Sequence, residues 1–290
     1  MSENEKLRLL STLRREEIDP WLTTREREQT YWANQDMRWS YNERRYKKLL
    51  QYHPGGLLLY LYGNSGQVEH LFDLFRKVFE AIAEQGVNAE ERGYLSGIVR
   101  RVDEQYYTDE WAKCCLLLYK KELLQKPPLC LQRLFFRHPG KMKMFLEENP
   151  SRSFDVENDY YLPEEAYQDK RAFDCWAECL YEEFPEILGY IMGKSCNGKD
   201  GAFPHEFIRE FLEKQQNEKL TKAVFYGKFN SRGARIVQDG RTLYEQAKCY
   251  RAQARELRLK FPQSAKILLQ LAKWMESEAQ HDQLEAEIVP

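Results

Sequence analysis

The sequence predicts an all-α fold: an irregular array of helical pairs ending in a C-terminal antiparallel helical hairpin, with at most one short β-hairpin. Three observations carry this expectation. Apolar residues recur at helical spacing through most of the 290 residues, while strict two-residue alternation is nearly absent. One kind of helix break recurs, an aromatic or His residue followed by proline, at His53–Pro54, His138–Pro139, Phe184–Pro185 and Phe261–Pro262. The last fifth of the chain carries the most regular apolar stripe.

The elements follow in order. Periodicity predicts helices near 3–17, 24–51, 56–62, 67–84, 89–104, 108–125, 128–137, 140–147, 164–182, 185–192, 204–216, 241–260 and 263–285, with long connections at 148–163, 194–203 and 226–240. The helical domain is placed at 1–225, with a possible sub-boundary at 148–163. Residues 226–240 form a connecting segment with turn chemistry at Asn230 to Gly233 between two short β-compatible pieces. Residues 241–290 form the hairpin. Leu243, Ala247, Tyr250, Ala254, Leu257 and Phe261 make one stripe, and Ala265, Leu268, Ala272, Met275 and Ala279 make the other. Proline fits the first turn of a helix and disfavours helix in the residue before it, so Phe261–Pro262 ends one helix and opens the next. The basic first helix then lies beside the acidic end of the second.

Composition excludes several classes. The chain is long enough to bury a sizeable core without disulfide staples. Its seven cysteines are odd in number and irregularly spaced, as suits reduced thiols in the cytoplasm. No secretory leader is legible in the first residues, and no apolar run is long enough to span a bilayer. The expected setting is cytoplasmic, with no membrane partner. A net charge of −2 argues against a globally basic nucleic-acid binder, but charge is segregated locally. Arg38, Arg44, Arg45, Lys47 and Lys48 face only Glu43 in 38–48, whereas 155–186 holds eleven acids against Lys170 and Arg171.

The motifs with chemical meaning are near-misses. Gly193-Lys194-Ser195 looks like the end of a phosphate-binding loop, but that loop needs glycine at position 188, where Leu188 stands, and a strand before it. The residues before it form a helix that is ending, so Gly193 is expected to take a left-handed cap and 194–201 to be an exposed connection. A calcium loop aligned on Gly201 puts Cys196 and Phe207 where acids are required. Cys175 and Cys179 sit one helical turn apart without a second pair, and the five histidines form no His-Glu-x-x-His arrangement. Neither a metal nor a cofactor is expected.

Arg133 is followed at short spacing by His138, which resembles the Arg-x4–6-His motif of HEPN-type ribonucleases, a family of all-helical proteins. The resemblance implies RNA cleavage, with His138 moving a proton and Arg133 stabilising charge on the scissile phosphate. Trp32, Trp39 and Tyr46 recur every seven residues among Arg38, Arg44, Arg45, Lys47 and Lys48. Together with the basic segment 228–260 they give a nucleic-acid-binding alternative. The leading expectation is a non-enzymatic interaction or scaffold protein that engages a protein partner, or a second copy of itself, through charged helical surfaces.

Overall fold

Helix after helix begins where the sequence supplies a cap. The computed structural model describes residues 50–51, 54–231 and 240–288, and among them it contains thirteen α-helices and no strand. These are α1 (Leu58–Gly63), α2 (Val68–Gln85), α3 (Ala89–Asp103), α4 (Asp109–Lys120), α5 (Leu129–Arg137), α6 (Pro139–Glu148) and α7 (Ser153–Asp159), followed by α8 (Lys170–Tyr181), α9 (Pro185–Gly193), α10 (Glu206–Gln215), α11 (Glu218–Asn230), α12 (Arg241–Leu257) and α13 (Pro262–Ile288). Asn88 and Glu91 form a reciprocal capping box at the start of α3, with bonds of 2.9 and 2.8 Å. Thr108 caps α4, Asp169 caps α8 and Asn217 caps α11, each side chain accepting from first-turn amides. Pro139, Pro185 and Pro262 open α6, α9 and α13, and Pro54 opens a short 3-10 turn, as the recurring break predicts.

The chain divides into two compact units between Leu131 and Gln132, within α5. In the first unit, α2 packs against α4 and α1 against α3. Its centre is aromatic: the Trp111 ring meets Phe75 at 6.0 Å and Phe79 at 5.5 Å, and all three are buried. In the second unit, α6 packs on α8, α9 on α11, and both α10 and α11 on α13. Phe173, Trp176 and Phe211 fill its interior.

The C-terminal hairpin is present. Leu243, Ala247, Ala254 and Leu257 of α12 are buried, as are Ala265, Leu268, Ala272, Met275 and Ala279 of α13. Opposite charges do meet on its flank, where the Arg251 guanidinium donates to both Glu276 oxygens at 2.7 and 2.5 Å. Gly240 takes a positive φ and sits so close to the Ala279 carbonyl that a side chain there would collide with the α13 backbone.

Four local expectations need correction. Residues 148–163 are not one connection: they hold a 3-10 turn at Pro150–Arg152 and the short helix α7. Residues 226–230 finish α11 and do not begin a connection; α11 also covers 218–225, where periodicity alone predicts no helix. Residue Pro204 does not start α10, which begins at Glu206 with His205 as its cap. The positive-φ glycines among the described residues are Gly86, Gly201 and Gly240, so Gly193 ends α9 without a left-handed cap. Of the two β-compatible pieces expected around the turn at Asn230 to Gly233, the one before it is helical, as the end of α11, while residues 232–239 lie outside the described residues, as do the helices expected at 3–17 and over most of 24–51. Among the described residues, no helix is long and apolar enough to cross a membrane.

Candidate functional site

Four small residues spaced four apart bring α9 and α11 together. A Cβ on Gly189 would lie 2.5 Å from the Ala223 Cβ and 2.7 Å from the Leu220 carbonyl oxygen. On Gly193 it would collide with the Val224 carbonyl and stand 2.7 Å from the Gly227 Cα, and on Gly227 it would strike the Tyr190 carbonyl. Only glycine permits backbones this close, which explains why Gly193 and Gly227 stand in helices despite glycine's poor helix propensity.

This close approach sets Tyr190 of α9 beside Tyr226 of α11, with ring centroids 6.3 Å apart and planes 14° from parallel. The row continues along α11 through Phe225 and Phe229, and the Phe229 ring meets Trp274 of α13 edge to face at 4.5 Å. Tyr226 is 38% exposed and the other four are half-buried, so three helices present one partly open aromatic strip. An open groove of about 360 Å³ lies at the Phe225 and Tyr226 part of the strip, between α11 and α13, bordered also by Glu218, Lys222, Lys266 and Gln270. The Lys222 ammonium stands 5.9 Å over the Tyr226 ring, and Lys266 lies 3.8 Å from Glu218. The strip offers apolar anchoring area and the rim offers two exposed ammonium groups, Lys222 and Lys266, against the one carboxylate of Glu218.

The loop 194–203 beside α10 is held in place. Arg209, 1% exposed, donates from Nε to the Pro204 carbonyl at 2.7 Å and from its two terminal nitrogens to the two Asp200 oxygens, each at 2.6 Å. These bonds hold the Asp200 carboxyl down at about 2. His205 accepts the Phe207 amide at Nδ1, leaving its proton on Nε2, 3.4 Å from Glu206. Burial between Tyr167 and Phe207 lowers its pKa and favours the neutral ring. The cluster fixes the loop and caps α10; its imidazole is enclosed and not presented to a substrate.

Lys194 departs from the exposed connection expected of it. Its ammonium donates to the Glu157 carbonyl oxygen at 2.6 Å and stands 4.7 Å over the Tyr161 ring. Burial lowers its pKa to about 7, against the opposing pull of Asp159 and Glu157. Since the folded state holds this proton less tightly than the unfolded state, stability should rise with pH from about 7 toward the ordinary lysine range. Competitive acetylation across pH, read by mass spectrometry, should show Lys194 acquiring nucleophilicity near pH 7, well before the surface lysines. Labelling of Lys194 in step with the surface lysines would contradict this.

The structure describes only part of the set that the sequence singles out. Arg133 lies within α5, and His138 is the exposed residue that precedes α6. Arg38, Arg44, Arg45, Lys47 and Lys48 lie outside the described residues. In the basic segment 228–260, Lys228 stands 4.5 Å over the Phe203 ring, Arg251 is bound to Glu276 and Lys248 to Glu245. The acidic segment 155–186 is extensively paired inside its own unit. Glu165 bonds Arg137, Asp174 bonds Lys170, Glu178 bonds Lys214 and Glu183 bonds Lys143. Periodicity does not reveal the aromatic strip, although the four-residue spacing of Gly189, Gly193, Ala223 and Gly227 is a legible sign of two helices in close contact. No protein-family model, curated protein or solved structure matches this chain.

Proposed function

We propose that this protein is a non-enzymatic interaction module that holds an acidic segment of a protein partner in the groove between α11 and α13. The observation that supports this most is the partly open aromatic strip with Lys222 and Lys266 at its rim. Aromatic anchors beside a groove are the residues that dominate protein interfaces, and the ammonium groups select an acidic partner. The acidic surface of 155–186 is a weaker docking candidate, since so many of its carboxylates are neutralised within the unit. A reducing cytoplasm suits the seven free thiols.

A nucleic-acid ligand is less well matched. One face of Tyr226 is stacked on Tyr190, which leaves it poorly placed to receive a base between the two rings. The test measures anisotropy of a labelled synthetic helix carrying Glu and Phe on one face, of its Lys-substituted counterpart and of a single-stranded oligonucleotide. The acidic peptide should bind, and Lys222→Glu combined with Lys266→Glu should weaken it roughly tenfold or more. Equal binding by the variant, or no binding of the acidic peptide, overturns the reading. Oligonucleotide binding with a steep salt dependence would replace it with the nucleic-acid alternative.

A further inference from the structure

Three helices of the first unit each deliver one potential metal ligand to the same interior point. Asp103 is the last residue of α3, Cys115 lies in the middle of α4 and Cys130 in the first turn of α5. One carboxylate oxygen and the two sulfur atoms all lie within 4.8 Å of one another. All three residues are buried, Asp103 at 8% exposure and the cysteines at 1% or less. Their spacing in the chain matches no zinc-finger pattern, so the convergence is invisible in the sequence alone.

Hydrogen bonds orient the carboxylate. The Trp111 indole N–H donates to Asp103 Oδ1 at 2.9 Å, and the Cys130 amide donates to Oδ2 at 3.2 Å. The Leu129 amide and the Cys130 thiol also bond this carboxylate, and the Cys115 and Cys130 thiols bond each other, so the three groups already form one connected cluster in which a metal ion would take the place of the thiol protons. Capping the start of α5 requires an acceptor there; it does not require two thiols to converge on that acceptor inside an aromatic core. We propose that Asp103, Cys115 and Cys130 form a binding site for a thiophilic divalent ion of the zinc(II) class.

Two thiolates and one carboxylate favour zinc over calcium or magnesium, which take oxygen donors. Tetrahedral zinc needs ligand atoms roughly 3.5 Å apart, so the three donors need only draw in modestly from their present separation. Three protein donors are the number found in zinc sites that keep one position open. On binding, each thiol gives its proton to solvent as the metal–sulfur bond forms, and the carboxyl binds as the carboxylate.

The test uses the full chain, reduced and metal-free, with Cys114, Cys175, Cys179, Cys196 and Cys249 replaced by serine to remove the other accessible thiols. Cobalt(II), a coloured stand-in for zinc, should bind with one-to-one stoichiometry, give thiolate-to-cobalt charge-transfer absorption, and be displaced by zinc(II). Cys115→Ala and Cys130→Ala should each weaken binding roughly 100-fold or more, and Asp103→Asn roughly tenfold or more. Lack of the charge-transfer band in the serine background, or a band unchanged in both alanine variants, overturns the proposal. Should an alanine variant fail to fold, thermal unfolding of the serine background decides: bound zinc must raise its melting temperature progressively with concentration, and no rise overturns the site. These readouts do not involve the groove of the second unit, so the two proposals stand or fall separately.

Discussion

Replacing Gly193 by alanine is expected to destabilise the second unit by about 3 kcal/mol, an unusually large cost for adding one methyl group. The added Cβ would collide with the Val224 carbonyl and lie 2.7 Å from the Gly227 Cα, both parts of a helix backbone that cannot rotate aside. Alanine's better helix propensity returns at most about 1 kcal/mol. Calorimetry should show the melting temperature falling by roughly 6–12 °C. Gly227→Ala should behave similarly, because its Cβ would strike the Tyr190 carbonyl. Gly93 provides the control: it lies within α3, and a methyl group added there would meet nothing within 4 Å, so Gly93→Ala should stabilise by about 0.5–1 kcal/mol. If Gly193→Ala melts with the wild type, the close approach of α9 and α11 is not what holds them together.

The second large effect is expected at Arg209. Arg209→Met should cost about 3 kcal/mol, because it deprives the Pro204 and Ala202 carbonyls of a buried donor and releases the loop held by Asp200. Asp200→Asn should cost less, about 1 kcal/mol, because the Asp200 side chain is 53% exposed and solvent screens the pair. The acid dependence has a definite sign. With its folded pKa depressed to about 2, Asp200 contributes its full stabilisation above the ordinary Asp range and loses it as pH falls through about 2. Denaturant midpoints measured down this range should fall less steeply in Asp200→Asn than in the wild type. Parallel curves with equal midpoints at neutral pH would show that the ion pair carries no stability.

Much of the fold is legible because it is written in local pattern. The apolar stripes of α12 and α13 identify the buried residues of the hairpin, and proline after His or an aromatic residue marks the starts of α6, α9 and α13. What sequence alone does not reveal depends on partners distant in the chain. Gly227 and Asn230 look like turn residues when only their neighbours are considered; Gly227 lies inside α11, where it is glycine because the Tyr190 carbonyl occupies the space a side chain would need. The same holds for Gly193, whose Lys-Ser sequel suggests a loop while its real constraint lies on α11. The groove is hidden for the same reason, since Tyr226 and Lys266 meet only after α11 and α13 have packed. Asp103, Cys115 and Cys130 show no local periodicity as a set, and only the packing of α3, α4 and α5 makes them neighbours.

Glu213, near the end of α10, accepts the amides of Gln263 and Ser264 at 2.8 and 3.3 Å, in the first turn of α13. A helix whose opening amides are satisfied by a carboxylate fifty positions upstream completes its end only when α10 is docked. The hairpin's contacts can zip outward from the turn at Phe261–Pro262, whereas this bond must close a loop of fifty residues at once. Slow hydrogen exchange at Gln263 and Ser264 therefore reports the docking of α10, while exchange deeper in α13 reports the hairpin itself.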